Sequence, residues 1–241
     1  MGSQYRYPRP TQRGLMALEA LSPTELAASF DAEHRLLTLQ NTKSERAISR
    51  KYSALLKQAP AEDVLSFARL LLFTYGHRWQ AYELITSHRA AYHCLSEDEL
   101  EQLGQGIDSW WATDSFARTL SGPLWRDGLI GDALIIRWAG YPDLWWRRAA
   151  LVSTVAFNVR SLGGKGDTTR TLLICRLLAA DHTDMVVKAL SWALRELVYF
   201  DAQAVQRFLE EYDPVLAGRV KREAGNKLRT GLKNPRLDTH E

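Results

Sequence analysis

Apolar residues recur at three- and four-residue spacing along almost the whole 241-residue chain, and alternating, strand-like runs are nearly absent. This spacing is typical of amphipathic helices, because it places apolar side chains on one side of a turn of about 3.6 residues. Helix starts are indicated where a hydroxyl stands three residues before a glutamate, at Ser22, Thr42 and Ser96. Helix breaks are predicted at glycines and prolines, among them Gly122-Pro123. The sequence therefore predicts an all-α protein.

Two helical pairs, AGYPDLWWRRAALV and AADHTDMVVKALSW, resemble each other. Each runs through a turn into a helix that begins at Asp143 or Asp184 and has a basic residue four positions later. Their offset falls within the range of about 40 to 47 residues that HEAT-type repeats show. We expect a HEAT-like helical repeat solenoid with a concave basic groove, built as one domain over 1–241 with 1–14 and 232–241 flexible. The alternative is an irregular helical bundle.

The composition argues against several classes of protein. No apolar run reaches the roughly 18 residues of a membrane-spanning helix, and MGSQYRYPRPTQRG has no apolar core of a signal peptide behind it. We therefore expect a cytoplasmic protein with no membrane partner. Cys94 and Cys175 lie in apolar helical patterns and are expected to be reduced and buried. His77, His88 and His93 lack partners at metal-ligand spacing, so no metal or cofactor is predicted and these histidines are assigned no role.

The basic residues are concentrated in two stretches, although the formal net charge is only +3. Near the C-terminus only Glu223 opposes a series of cations, which are Arg219, Lys221, Arg222, Lys227, Arg229, Lys233 and Arg236. Such a series favours a polyanionic partner. The earlier stretch NTKSERAISRKYS contains Lys43, Arg46, Arg50 and Lys51. It is either a first basic edge of the groove or a solvated helix face.

Two clusters of the sequence place adjacent tryptophans beside charged residues. DSWWATDSFARTL sets Trp110 and Trp111 before Asp114, whose carboxylate either caps the following helix or has a chemical role. DLWWRRAALV contains Arg147 and Arg148, which point about 100° apart on a helix. They form either a surface pair held by salt bridges or one arginine that points into a groove.

A third cluster, VVKALSWALREL, has Lys188, Trp192 and Arg195 along one side of a helix. An aromatic residue between two bases suits a phosphate backbone beside a sugar or a base. The glycine-rich stretch SLGGKGDTTR lacks the spacing of a phosphate loop and is interpreted as a flexible inter-helix loop. Three combinations of tryptophan with charge in one chain favour a function over a purely structural origin.

In this order and at these separations, WWATDS, LWWRRAAL and KALSWALRE resemble the AlkD-type DNA alkylation repair glycosylases, and VKREA is similar to a stretch near that family's C-terminus. The resemblance covers Trp110 to Ala224, roughly half of the chain. It implies a HEAT-like array that holds duplex DNA in its groove and removes positively charged N3- or N7-alkylated purines. It also implies a tyrosine from an N-terminal helix, for which Tyr5, Tyr7 and Tyr52 are the candidates.

The resemblance implies a role for each matched residue. Asp114 corresponds to the catalytic carboxylate, with Trp110 and Trp192 as aromatic walls against the sugar and Trp111 as the alternative to Trp110. Arg148 corresponds to an arginine beside the phosphate backbone. The expected DNA contacts are Arg148, Trp111, Arg147, Lys188, Arg195, Lys43, Arg46 and Arg50.

The chemistry of the expected reaction agrees with these residue types. A cationic alkylpurine leaves without a general acid, so one carboxylate can both stabilise the oxocarbenium-like sugar and position water. We expect a monomeric, monofunctional alkylpurine DNA glycosylase, cytoplasmic and nucleoid-associated, that binds double-stranded DNA without a metal or cofactor. The alternatives are a non-catalytic HEAT-repeat protein that binds distorted or branched DNA, and a helical-repeat protein that binds other proteins.

Overall fold

A computed structural model describes residues 21–38 and 41–235, and the regular structure in these ranges is helical without strands. The predicted all-α class is confirmed. The chain divides into two compact units between Cys94 and Leu95. In the described ranges no helix combines the length and the apolar character that crossing a membrane requires. Residues 1–14 and 236–241, which fall in the segments predicted to be flexible, lie outside the described residues.

The first unit is built around buried aromatic rings. Its helices are α1 (Pro23–Arg35), α2 (Thr42–Leu55), α3 (Ala61–Phe73), α4 (Arg78–Ser87) and α5 (Arg89–Cys94). The Phe30 ring lies 5.1 Å from the Tyr52 ring and 6.2 Å from the Phe67 ring between centroids, both in edge-on contact. Each such pair contributes about 0.5–1.5 kcal/mol beyond the burial of its area. These contacts join α1, α2 and α3.

The predicted helix starts are confirmed at Ser22 and shifted in α2. The Ser22 side chain accepts from the Glu25 backbone amide, and the Glu25 side chain accepts from the Ser22 amide. In α2 the capping residue is Asn41, paired with Ser44, so the prediction that placed the hydroxyl at Thr42 is wrong by one residue. Asn41 prevails because its amide oxygen reaches two free backbone amides of the first turn.

Two expectations are corrected in the first unit, one for a histidine and one for a cysteine. His77 is buried, and its Nε2 lies 3.0 Å from Oδ1 of Asp31, so it has a partner that is distant in sequence. Cys94, at the end of α5, is exposed, whereas Cys175 is buried as expected. The short α5 presents its last residue to solvent, which the apolar pattern of the sequence does not reveal.

The second unit carries the tryptophan clusters. Its helices are α6 (Glu97–Leu103), α7 (Trp110–Phe116), α8 (Gly122–Arg126), α9 (Asp132–Ala139), α10 (Leu144–Ser153), α11 (Val155–Asn158), α12 (Thr168–Leu177), α13 (Asp184–Leu197), α14 (Ala202–Glu211) and α15 (Gly218–Thr230). The central helices are α10 and α13: α10 packs against α7, α9 and α13, and α13 packs against α12 and α15. From Arg148 to Ser153 every residue of α10 is buried. The second half of this helix is therefore enclosed on all sides, where small and apolar residues predominate.

The predicted break at Gly122-Pro123 is wrong. A π-helical turn, Ala117–Ser121, joins α7 directly to α8, so the helical path continues through both residues. Proline lacks a backbone N–H and clashes with the carbonyl four residues earlier in an α-helix, and a wider turn relieves that conflict. Gly122 is required by close packing: a Cβ there would lie 2.7 Å from the Ser153 carbonyl oxygen and 2.8 Å from that of Ala117. The segment that carries Asp114 is thereby pressed against α10.

Candidate functional site

Asp114 lies inside α7 and does not cap it. The helix begins at Trp110, and its N-cap is Ser109, whose Oγ accepts from the Ala112 amide at 3.3 Å. Asp114 is the fifth residue of this helix, so the interpretation of Asp114 as an N-cap is wrong. Its carboxylate is free to interact outside its own helix, and its side chain is 19% exposed.

Arg148 of α10 holds the Asp114 carboxylate in a two-pronged ion pair. Its Nε donates to Oδ1 at 2.9 Å and its Nη2 donates to Oδ2 at 2.8 Å. The third nitrogen, Nη1, donates to the backbone carbonyl of Met185, in the first turn of α13, at 2.6 Å. Because the Arg148 side chain is only 6% exposed, the fork is fixed by packing as well as by hydrogen bonds. One guanidinium thus joins α7, α10 and α13 beneath a carboxylate that reaches solvent.

The electrostatic environment of Asp114 has two opposing parts. Burial raises the pKa of the carboxyl, and the hydrogen bonds and charge of Arg148, with a smaller effect from Arg118, lower it. The burial effect is the larger, so the pKa of Asp114 lies above its ordinary value. A carboxylate in this setting is poorly hydrated, and it therefore interacts more strongly with a positive charge that develops beside it.

The tryptophans of the first cluster lie at the surface. Trp110 is 56% exposed and Trp111 is 46% exposed, which are large values for indoles. Trp110 precedes Asp114 by four residues and Trp111 precedes it by three, so both are neighbours of the carboxylate on the helix surface, with Cβ atoms about 5–6 Å apart. Exposed indoles beside a carboxylate form a face that a ligand can cover.

The tryptophans of the second cluster are partly buried, and Trp146 has a packing role. Its ring lies 5.9 Å from the Phe116 ring and 4.9 Å from the Trp138 ring between centroids. A Cβ at Gly104 would come within 2.5 Å of Trp146 Cη2, so the indole fills the space that this glycine leaves. Trp138 is fully buried. The second cluster therefore supports α7 from behind.

Arg147 connects two turns of the second unit. Its Nη1 donates to the carbonyls of Tyr141 and Pro142 at 2.9 and 2.6 Å, and its Nε donates to Asp181 Oδ2 at 2.8 Å. Burial alone would raise the pKa of Asp181, but hydrogen bonds from Thr183 and Arg147 lower it below its usual range. The adjacent arginines thus diverge as predicted, with Arg147 at the turns before α10 and α13 and Arg148 on Asp114.

The third cluster is spread over the surface of α13. Lys188 Nζ lies 2.7 Å from Asp184 Oδ2, and both side chains are well exposed. Trp192 is half-buried, and its Nε1 donates to Glu196 Oε1 at 3.0 Å. Arg195 is directed to the buried Glu223 of α15, with Nε 3.8 Å from Oε2. Lys188 and Trp192 remain accessible, whereas Arg195 is largely engaged within the protein.

The basic stretches have different surroundings. In α2, Lys43, Arg46 and Arg50 are all exposed, and Arg46 lies 3.8 Å from Glu83. Several cations of the C-terminal series have partners within the second unit, which are Asp184 for Arg219, Asp213 for Lys221 and Glu223 for Lys233. Arg236 lies outside the described residues. The basic C-terminal series is therefore less available to a polyanion than its composition indicates.

Two features of the site are absent from the sequence prediction. Arg118 is exposed and follows Asp114 by four residues, and this spacing in the sequence could have indicated it. The Met185 carbonyl, which accepts from Arg148, is a backbone group and no sequence pattern indicates it. Of the tyrosine candidates, Tyr52 is fully buried and its hydroxyl donates to Glu33, while Tyr5 and Tyr7 lie outside the described residues.

These features define an all-helical protein with a surface carboxylate that a buried arginine fixes among exposed indoles. The family model of the DNA alkylation repair enzymes matches residues 19–228, and the chain belongs to this family. The match extends over nearly all of the described residues, and the resemblance found in the sequence is confirmed. No curated protein and no solved structure was found to match the chain.

Proposed function

We propose that the protein is a DNA glycosylase that hydrolyses the N-glycosidic bond of cationic N3- or N7-alkylated purines in duplex DNA. The observation that carries this proposal is the Asp114 carboxylate, held by the Arg148 fork at 2.9 and 2.8 Å on a helix face with the exposed indole of Trp110. Membership of the DNA alkylation repair enzymes supports DNA as the partner and repair as the process.

The carboxylate is suited to stabilise a sugar that becomes positively charged. An alkylated purine is already cationic and departs without protonation, so the main demand is on the oxocarbenium-like sugar and the attacking water. Each carboxylate oxygen has about two lone-pair directions, and Arg148 occupies one on each oxygen. The remaining directions are those with which Asp114 binds a water molecule and faces the sugar.

Arg148 acts in this proposal as a positioning residue for the carboxylate. Each of its guanidinium nitrogens donates within the protein and its side chain is only 6% exposed, so little of Arg148 is open to a direct contact with DNA. Rigid placement of a charged group before the reaction avoids the reorganisation that water would need. The expected phosphate contact of Arg148 is accordingly secondary to its hold on Asp114.

The surrounding surface supplies aromatic and cationic contacts to the nucleotide. Trp110, with Trp111 as its alternative, and Trp192 offer indole faces to the sugar C–H groups. Lys188 is paired with Asp184 only at the surface, where such pairs contribute little, so a phosphate can replace that carboxylate. The exposed basic residues of α2, Lys43, Arg46 and Arg50, are proposed as further DNA contacts. Arg147 and Arg195 are proposed as lesser contacts, because both are largely engaged within the protein.

Base release from N7-methylguanine DNA tests the proposal directly. The purified protein is incubated with a methylated duplex, and the free base is separated and quantified. The variant Asp114→Asn should release it about 10²–10³-fold more slowly, as expected when one transition-state contact is removed. The matched control is Asp108→Asn, because Asp108 is exposed and lies just before α7. Equal rates for wild type and Asp114→Asn would refute the assignment of Asp114.

The same ion pair also favours a second candidate, a non-catalytic protein that binds distorted or branched DNA. A carboxylate paired with a buried arginine also joins α7 to α10, and this structural role needs no chemistry at Asp114. DNA binding by anisotropy separates the two, because the enzyme retains binding and loses base release in Asp114→Asn. A non-catalytic protein shows no base release in the wild type and binds DNA with similar affinity in both.

A further inference from the structure

The first unit contains an open cavity of about 440 Å³ that the Asp114 site does not include. It lies between the end of α2 and the start of α5, and its lining is Lys57, Gln58, Ala59, His88, Arg89 and Ala90, together with His93. Two of these side chains are cations, two are imidazoles and one is an amide. Among the described residues no carboxylate lines this cavity.

The two cations of the cavity are available to a ligand. Lys57 and Arg89 are exposed, and within the described ranges neither takes part in an ion pair. This distinguishes them from Arg219, Lys221 and Lys233 of the C-terminal series, which all face carboxylates. An anion that enters the cavity therefore meets positive charge without displacing a carboxylate.

The hydrogen bonds of the two histidines fix which ring nitrogens donate. His88 is nine-tenths buried, and its Nδ1 lies 3.1 Å from the Ala91 amide, which can only donate. The His88 proton is therefore on Nε2, and the neutral ring is a donor there. His93 Nδ1 lies 2.8 Å from the Arg89 carbonyl, which can only accept, so Nδ1 donates its proton within the protein, and in the neutral ring Nε2 is an acceptor. A neutral His88 ring can therefore donate a hydrogen bond from Nε2 to an oxyanion.

We infer that this cavity binds a phosphate group of the DNA backbone. The lining combines cationic and neutral donors, and this is the chemistry that recognises phosphate oxygens. No Phe, Tyr or Trp of the described residues lines the cavity, so it lacks the platforms on which unpaired bases stack. The contact is therefore to the backbone and independent of sequence. The inference rests on the DNA partner of the proposed function, but it does not depend on the chemistry at Asp114.

The test is the salt dependence of binding to an undamaged duplex, measured by fluorescence anisotropy. Arg89→Gln and Lys57→Gln should each weaken binding, and each should reduce the slope of log K against log salt concentration by about 1. The matched control is Arg207→Gln, which removes one exposed arginine from α14. Arg207→Gln should leave the slope unchanged. Thermal unfolding checks that each variant is folded.

Two results would overturn the inference. The first is a loss of affinity in Arg89→Gln no larger than that in Arg207→Gln, because it would reflect net charge alone. The second comes from titration with inorganic phosphate, monitored by the imidazole resonances of His88 and His93. Phosphate binding that Arg89→Gln abolishes, with DNA affinity unchanged, would assign the cavity to small anions. Because undamaged DNA is the ligand, these outcomes are separate from failure of base release.

Discussion

The Arg148 guanidinium donates to both oxygens of the Asp114 carboxylate from a helix that is 34 residues further along the chain. The arginine is buried and the carboxylate reaches the surface, so the positive charge lies inside the protein and the negative charge lies at its surface. This geometry is stable only while both partners are present, since either alone is a poorly hydrated charge.

Breaking the pair from the buried side should destabilise the protein. Arg148→Met leaves the Asp114 carboxylate and the Met185 carbonyl without their donor, and we expect the free energy of unfolding to fall by about 3 kcal/mol. Urea denaturation measures this change. The control Arg118→Gln, at an exposed position, should stay within about 0.5 kcal/mol of wild type. Equal stability of Arg148→Met and Arg118→Gln would show that the pair is energetically neutral.

Base release should depend on pH through Asp114. Burial raises the pKa of this carboxyl, against the opposing effect of Arg148, so protonation begins above the ordinary aspartate value of about 3.9. In the proposed mechanism the ionised form is the active one, so the rate should fall as pH is lowered toward that raised pKa. Single-turnover rates, corrected for spontaneous depurination, measure the profile. A rate that stays constant down to about pH 4 would contradict a raised pKa.

The exposed indoles should affect activity more than stability. Trp110→Ala should slow base release on the order of tenfold or more, since stacking on an aromatic ring is worth about 1–3 kcal/mol. Its unfolding free energy should change little, because the ring is 56% exposed. Phe73→Ala, at an exposed aromatic position of α3, is the control. A larger effect from Trp111→Ala than from Trp110→Ala would indicate that Trp111, and not Trp110, contacts the sugar.

Gly122 should not tolerate a side chain. In Gly122→Ala the new Cβ would meet the Ser153 and Ala117 carbonyl oxygens at 2.7 and 2.8 Å. We expect the free energy of unfolding to fall by about 1–3 kcal/mol, as in overpacked cores. Gly218→Ala is the matched control in α15, where nothing lies within 4 Å of the added atom. Its stability should be unchanged or slightly higher. If both variants were equally stable, the packing of the π-turn against α10 would not matter.

The helical class is predicted correctly from the sequence, whereas the arrangement of the candidate site residues depends on tertiary contacts. The apolar spacing indicates helices, and the predicted helix start at Asp143 is confirmed, because its side chain caps α10 by accepting from the Trp145 amide. Periodicity shows that Arg147 and Arg148 diverge, but it does not show which of them is buried, because that depends on α7 and α13 packing against α10.

Other differences have local physical causes. Gly122-Pro123 indicates a break in any α-helix, and only the π-turn allows the helical path to continue. The cations of α15 form a continuous series in sequence, yet Asp184 and Asp213 are brought to Arg219 and Lys221 by folding. A charge count along the chain therefore overestimates the positive field that α15 offers.

The third hydrogen bond of Arg148, to the Met185 carbonyl, ties the position of the guanidinium, and with it that of the Asp114 carboxylate, to the first turn of α13. Trp192 lies seven residues beyond Met185, about 10 Å along the same helix. One helix therefore carries both the backbone anchor of the guanidinium and an indole that we propose as a DNA contact. Substitutions in the first turn of α13 should therefore change the rate of a reaction that they do not touch.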